Sequence, residues 1–298
     1  MTDVIPILKV IFNILVPVMA LLAVMGMGLG LGVREVLAPL RNVWRVAIAI
    51  LANFVLVPLL CWLITLVLPL SDGFRIGLML LAAGAGSPFV PLLVSLSKGN
   101  NAWAAALMVL FTVLTVVYMP VVLPLMLPGV QVDPLAIARP LLMVMLVPLV
   151  AGLSVHAWNE RLALRLVPVF AKMTNVTMVF VLVLVAILGH QQLWGAVGRH
   201  GILAAAVMVL AATAIGYVLG GPGRDNQCAL AFGTGSRNVS AAMVIAAQNF
   251  SDNPDVVLIA VLALIATVGL QIPLAKRLGR SHIDRTTARG QGRVHEDV

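Results

Sequence analysis

Two stretches of this sequence carry residue types that are out of place in their surroundings. Leu81-Ala-Ala-Gly84-Ala-Gly86-Ser87-Pro88-Phe-Val-Pro91 and Ala229-Leu-Ala-Phe-Gly233-Thr234-Gly235-Ser236-Arg237-Asn238 each interrupt an apolar run, and they share the core Gly-[Ala/Thr]-Gly-Ser. Glycine loses much entropy when held in a helix, and proline removes a donor and blocks the preceding turn, so each stretch is predicted to break a helix at membrane depth. A break there exposes amides and carbonyls that lipid does not satisfy, so it must face protein or a water-filled cavity. Paired interruptions in corresponding places of two halves are the sequence pattern expected at the binding site of a secondary transporter.

The charges sharpen this expectation. Of the 19 Lys and Arg residues, two fall at membrane depth, away from the span ends, Lys172 and Arg237, and no Asp or Glu does. Ionisable groups in spans are costly and face a cavity or a partner. Arg237 follows the second break directly, where it either serves function or hydrogen-bonds broken-helix carbonyls; Lys172 either lines a substrate path or snorkels from the start of its span. A half-helix that starts at a break turns its N–H groups and partial positive charge toward the cavity, which favours an anion. Ser87, Pro88, Ser236, Arg237 and Asn238 are therefore the expected substrate-facing residues at the breaks. Thr112 and Thr115 in the fourth span, with Lys172 and Asn175 in the sixth, complete the candidate set. For Thr174, Asn175 and Thr177, as for Thr112 and Thr115, the alternative reading is interhelical packing, where Ser, Thr and Asn are common. With two cations and no carboxylate at depth, the expected ligand is a small organic anion of carboxylate type.

The elements that must position these residues follow from composition. The chain has 298 residues, 61% hydrophobic and 10% charged, too little polar surface for a water-soluble globule of this size. Nine apolar segments, at about 9 to 31, 44 to 69, 74 to 96, 101 to 127, 137 to 157, 164 to 189, 201 to 221, 226 to 248 and 255 to 278, each reach the roughly 20 residues needed to cross a bilayer core of about 30 Å. The expected fold is an all-α, multi-pass membrane protein, since the short alternating segments of a membrane barrel are absent. Thirteen Lys and Arg residues fall on one side (among them Arg34, Arg41, Arg45, Arg161 and Arg165) against Lys9, Arg75, Arg139 and Arg199 on the other, which places the N-terminus outside and the C-terminus in the cytoplasm of a cell inner membrane. Residues 281–298 read as a disordered cytoplasmic tail. The net charge of +8 resides in loops and tail, so nucleic acid is not an expected partner; the lipid bilayer is, and oligomeric state is left open. Cys61 and Cys228 read as packed thiols, and the five histidines lack ligand spacing, so neither a metal, a cofactor nor an enzyme is expected.

The order and spacing of several motifs resemble the bile acid:sodium symporter family. They are Met25-Gly-Met-Gly-Leu29, Asn53-Phe-Val-Leu-Val-Pro58, Leu96-Ser-Lys98-Gly99-Asn100, Leu146-Val-Pro148-Leu-Val-Ala-Gly152-Leu-Ser-Val-His156, Gly216-Tyr217 and Gly235-Ser-Arg-Asn238 with Phe250. The resemblance implies two inverted repeats, here about 6 to 127 and 137 to 278, with panel helices at about 9 to 31, 137 to 157 and 164 to 189 and the remaining helices in a core domain where two broken helices cross. It also implies a nine-helix variant whose broken spans are the third and eighth. The family's sodium ligands are poorly matched. Its first ligand pair aligns with Val90-Pro91, its carboxylate with Gly233 and its glutamine ligand with Arg237, which leaves Asn53, Thr112 and Thr234 as weak ion-binding candidates.

Sodium needs several hard oxygen donors, so the side-chain count implies dismantled ion sites, with the permanently charged guanidinium of Arg237 as a replacement. The expected function is alternating-access transport of an organic anion, independent of sodium. The alternatives are sodium-coupled symport, as the family resemblance implies, and a non-transporting membrane sensor. Arsenite efflux, the chemistry of a related family, calls for a cysteine in the first crossing helix, and none lies between Cys61 and Cys228.

Overall fold

The computed structural model describes residues 4–127, 133–188, 200–250 and 252–280. Among the described residues there is no strand. The described residues form twelve helices, in order: α1 Val4–Leu29, α2 Val33–Leu40, α3 Val43–Val67, α4 Asp72–Ala83, α5 Val90–Leu96, α6 Asn101–Met126, α7 Pro134–Trp158, α8 Glu160–Leu188, α9 Gly201–Leu219, α10 Arg224–Gly235, α11 Val239–Asn249 and α12 Pro254–Arg280. Seven of these, α1, α3, α6, α7, α8, α9 and α12, are long and apolar enough to cross a bilayer unbroken. The pairs α4–α5 and α10–α11 occupy the third and eighth apolar segments and are broken where the glycines fall. The chain is thus an all-α multi-pass membrane protein. The predicted tail at 281–298, like His190 and Arg199, lies outside the described residues.

Each break has a local cause. α4 stops at Gly84, and Gly86 takes φ +84°, where a Cβ would lie 2.5 Å from the Thr112 amide nitrogen, so only glycine fits. α5 restarts at Val90 with Pro91 in its first turn, where a missing N–H costs least. α10 ends at Gly235, Ser236 is extended, and Asn238 caps α11 by accepting the Ala241 N–H at 3.0 Å.

Three further helices each contain a π turn: Ala52–Leu56 in α3, Leu142–Leu146 in α7 and Thr267–Gln271 in α12. Each turn is followed two residues later by a proline, Pro58, Pro148 or Pro273. Proline cannot donate to the carbonyl four residues back, and the π turn accommodates the missing bond. For Pro58 that carbonyl belongs to Phe54, and it accepts the Tyr118 hydroxyl at 2.6 Å.

The helices gather in two groups. α1, α7 and α8 pack on one another, while α4, α9, α10 and α12 pack around the breaks and α11 meets α1. α1 and α7 approach closely at Gly28 and Gly152: a Cβ on Gly28 would lie 2.6 Å from the Leu149 carbonyl, and one on Gly152 2.7 Å from that of Met25. Beside this contact His156 Nδ1 lies 2.8 Å from the Leu29 carbonyl at the end of α1. α8 is the most weakly covered span, with 11% of its apolar window buried.

Candidate functional site

The two breaks meet, and the chain itself satisfies the backbone they expose. The Asn238 N–H donates to the Gly84 carbonyl at 2.9 Å, and its side-chain amide donates to Gly86 at 3.1 Å. Thr112 Oγ1 donates to Gly86 at 3.2 Å as well as to Met108 in its own helix. Thr115 Oγ1 accepts the Ala85 N–H at 2.9 Å, and it lies 3.1 Å from the Ala85 carbonyl. Thr112 and Thr115 project from the same face of α6 at nearly one turn's spacing, which lets one helix service consecutive residues of the first break.

Arg237 stands at the junction, 2% exposed. Its Nε donates to Leu81 at 3.0 Å and its Nη2 to Ala82 at 2.7 Å, the last carbonyls of α4. Its Nη1 donates to Asn53 Oδ1 at 2.9 Å and to Thr234 at 3.3 Å, in the last turn of α10. Asn53 in turn donates to Thr234 Oγ1 at 3.0 Å and to Ala49 at 3.1 Å. Helix C-termini carry orphan carbonyls and about half a negative charge each. One guanidinium therefore faces two such ends, and its charge matches their sum.

On the other side of the second break Ser236 Oγ donates to Gln271 Oε1 at 2.7 Å, and Gln271 Nε2 donates to Thr213 Oγ1 at 2.8 Å. Gln271 closes the π turn of α12, which aims its side chain into the crossing. A Cβ on Gly235 would collide with Thr213 and Gln271, which explains the second glycine of that break. Neither Thr213 nor Gln271 stands out in the sequence. A lone glutamine two residues before a proline in an apolar span was the available signal.

A cavity of about 290 Å³ lies between the first helix group and the breaks. Its apolar wall includes Met19, Leu22 and Met27 of α1, Met178 and Leu182 of α8, and Met243 of α11; its polar groups are Ser87, Thr174, Asn175, Arg237 and Ser240. Ser240 sits in the first turn of α11, so that helix presents its positive end there. Of the sequence candidates, Ser87, Pro88, Arg237 and Asn175 line the cavity. Ser236, Asn238, Thr112, Thr115, Asn53 and Thr234 are buried in the crossing and hydrogen-bonded there. Lys172 is exposed on the outer side of α8, away from the cavity lining.

Residues 17–196 match the family described as the Sodium Bile acid symporter family. The chain is 25% identical over 248 residues to the probable sodium/metabolite cotransporter BASS2, chloroplastic, of Oryza sativa subsp. japonica, an alignment covering 82% of this chain and 58% of the relative. It is also 25% identical over 238 residues to the uncharacterized sodium-dependent transporter YocS of Bacillus subtilis (strain 168), covering 76% and 71%. The chain thus spans less than two thirds of the length of the rice relative.

Proposed function

Because the chain belongs to the Sodium Bile acid symporter family, with which residues 17–196 align, we propose that it is a secondary transporter that moves an organic anion with an apolar body by alternating access, without sodium at the crossing. The first helix group acts as a panel and the second as a core in two inverted repeats, in the plasma membrane with the N-terminus outside. The observation that carries the coupling reading is Arg237. Its four hydrogen bonds take acceptors from α3, α4 and α10, the oxygens that a cation at this junction would need. Gly84, Ala85 and Gly86 are likewise served by Asn238, Thr112 and Thr115. A sodium ion entering here would have to displace several buried hydrogen bonds, each worth about 1 kcal/mol net and more for the charged ones.

The anion preference rests on the cavity. Its walls are largely apolar, its polar groups are neutral or positive, and the first turn of α11 opens onto it. Arg237 touches the cavity while its hydrogen bonds point into the crossing, so its role is to hold the half-helices that present the site. The names of both relatives, a sodium/metabolite cotransporter and a sodium-dependent transporter, favour sodium coupling as the second reading.

One comparison separates the two. Thermal unfolding of the purified protein is measured in sodium chloride and in choline chloride, alone and across a panel of monocarboxylates and dicarboxylates. Sodium-independent midpoints and sodium-independent stabilisation by a carboxylate are expected, since only binders raise apparent stability by mass action. A carboxylate that stabilises only in sodium would establish the family's coupling instead.

A further inference from the structure

Outside the cavity, the least expected charges are on α8. Arg161, Arg165 and Lys172 are all exposed, and among the described residues none has an ion-pair partner. At 100° per residue they fall within about 40° of one another, on a stripe about 120° from the face that lines the cavity. Lys172 is about 18 Å along the helix from Glu160, and a helical side chain leans back toward the N-terminus, where the two arginines stand. Below the stripe the same helix exposes Val176, Val179, Phe180 and Val183.

We propose that this stripe is a binding site for an anionic phospholipid, with the headgroup phosphate held by Arg165 and Lys172, Arg161 adding its field, and the acyl chains lying along the apolar residues beneath. Charge and apolarity are graded along one helix face in the order that a lipid presents them. A second copy of the chain is disfavoured as the occupant, because a two-fold contact through this face would set the three cations against their own symmetry mates.

The test uses the full chain in neutral detergent, titrated with phosphatidylglycerol or with phosphatidylcholine of the same acyl chains and followed by thermal unfolding. Phosphatidylglycerol is expected to raise the midpoint at lower concentration than phosphatidylcholine, and Arg165→Gln and Lys172→Gln each to weaken that response about fivefold. Glycerol 3-phosphate, which has the anion without the chains, is expected to do nothing. An equal response to both lipids, or an unchanged phosphatidylglycerol response in the double variant, would overturn the site. A dimer formed through α8 in lipid-free detergent would also overturn it and assign the face to a second copy. Should the variants unfold more easily without lipid, the number of phosphatidylglycerol molecules retained by the wild-type chain in native mass spectrometry, against phosphatidylcholine, decides the matter.

Discussion

At the scale of the residue, Arg237 outweighs any other. Removing its side chain leaves the Leu81, Ala82 and Thr234 carbonyls and Asn53 Oδ1 without their donor in a buried place. Each buried acceptor left unsatisfied costs about 1–3 kcal/mol, so Arg237→Ala is expected to lower the unfolding midpoint sharply. Arg237→Lys is expected to fall between, because an ammonium has three donors at one point and does not span α3, α4 and α10 together. Equal midpoints for the wild type and Arg237→Ala would remove Arg237 from the scaffold. Gly86→Ala is the second case. It combines a left-handed backbone with a Cβ 2.5 Å from the Thr112 amide, and a loss of more than about 2 kcal/mol is expected by the same measurement.

At the scale of the element, the π turns make a distinctive prediction. Tyr118→Phe leaves the Phe54 carbonyl without its hydroxyl donor and is expected to cost about 1–2 kcal/mol. Pro58→Ala returns an N–H that is able to reach that carbonyl, so the tyrosine substitution is expected to cost less in a Pro58→Ala background; additive losses in a double-mutant cycle would refute the link. The spans and both breaks were legible in the sequence, because hydropathy sets span length and the glycines and prolines mark where the backbone departs from the helix. The N-cap Asn238 lies in the motif that the resemblance quoted. The π turns were not legible, since Pro58, Pro148 and Pro273 look like any proline inside a span until the neighbouring turn is seen to widen. The cavity was half legible: Ser87, Pro88, Asn175 and Arg237 came from polarity and breaks. Its apolar wall did not, because Met19, Leu22 or Met243 has the same composition facing lipid, core or ligand. Partners such as Asn53 with Arg237, 184 positions apart, depend on tertiary packing that no local pattern encodes.

At the scale of the whole molecule, the proposed orientation makes Arg75 external and Trp158 cytoplasmic. Both are exposed, and the native Cys61 and Cys228 are buried, so background labelling is low. In intact cells a membrane-impermeant maleimide is expected to label Arg75→Cys at once and Trp158→Cys only after permeabilisation; the reverse order would invert the topology. The groups that would move against each other are joined differently within and between. α1 and α7 touch backbone to backbone at Gly28 and Gly152, whereas α11 meets α1 beside the cavity. Gly152→Val is expected to separate α1 from α7 and lower the unfolding midpoint, with the sodium response left unchanged.

The guanidinium at the crossing is part of the polypeptide, and this fixes something that a diffusible ion leaves variable. A positive charge carried by the chain has full occupancy at every salinity and never dissociates, so under the proposed sodium-free reading the junction would have no vacant form to wait for refilling between turnovers. Growth in fresh or salty surroundings would then leave this joint equally assembled, and the conformational cycle would be timed by its cargo alone.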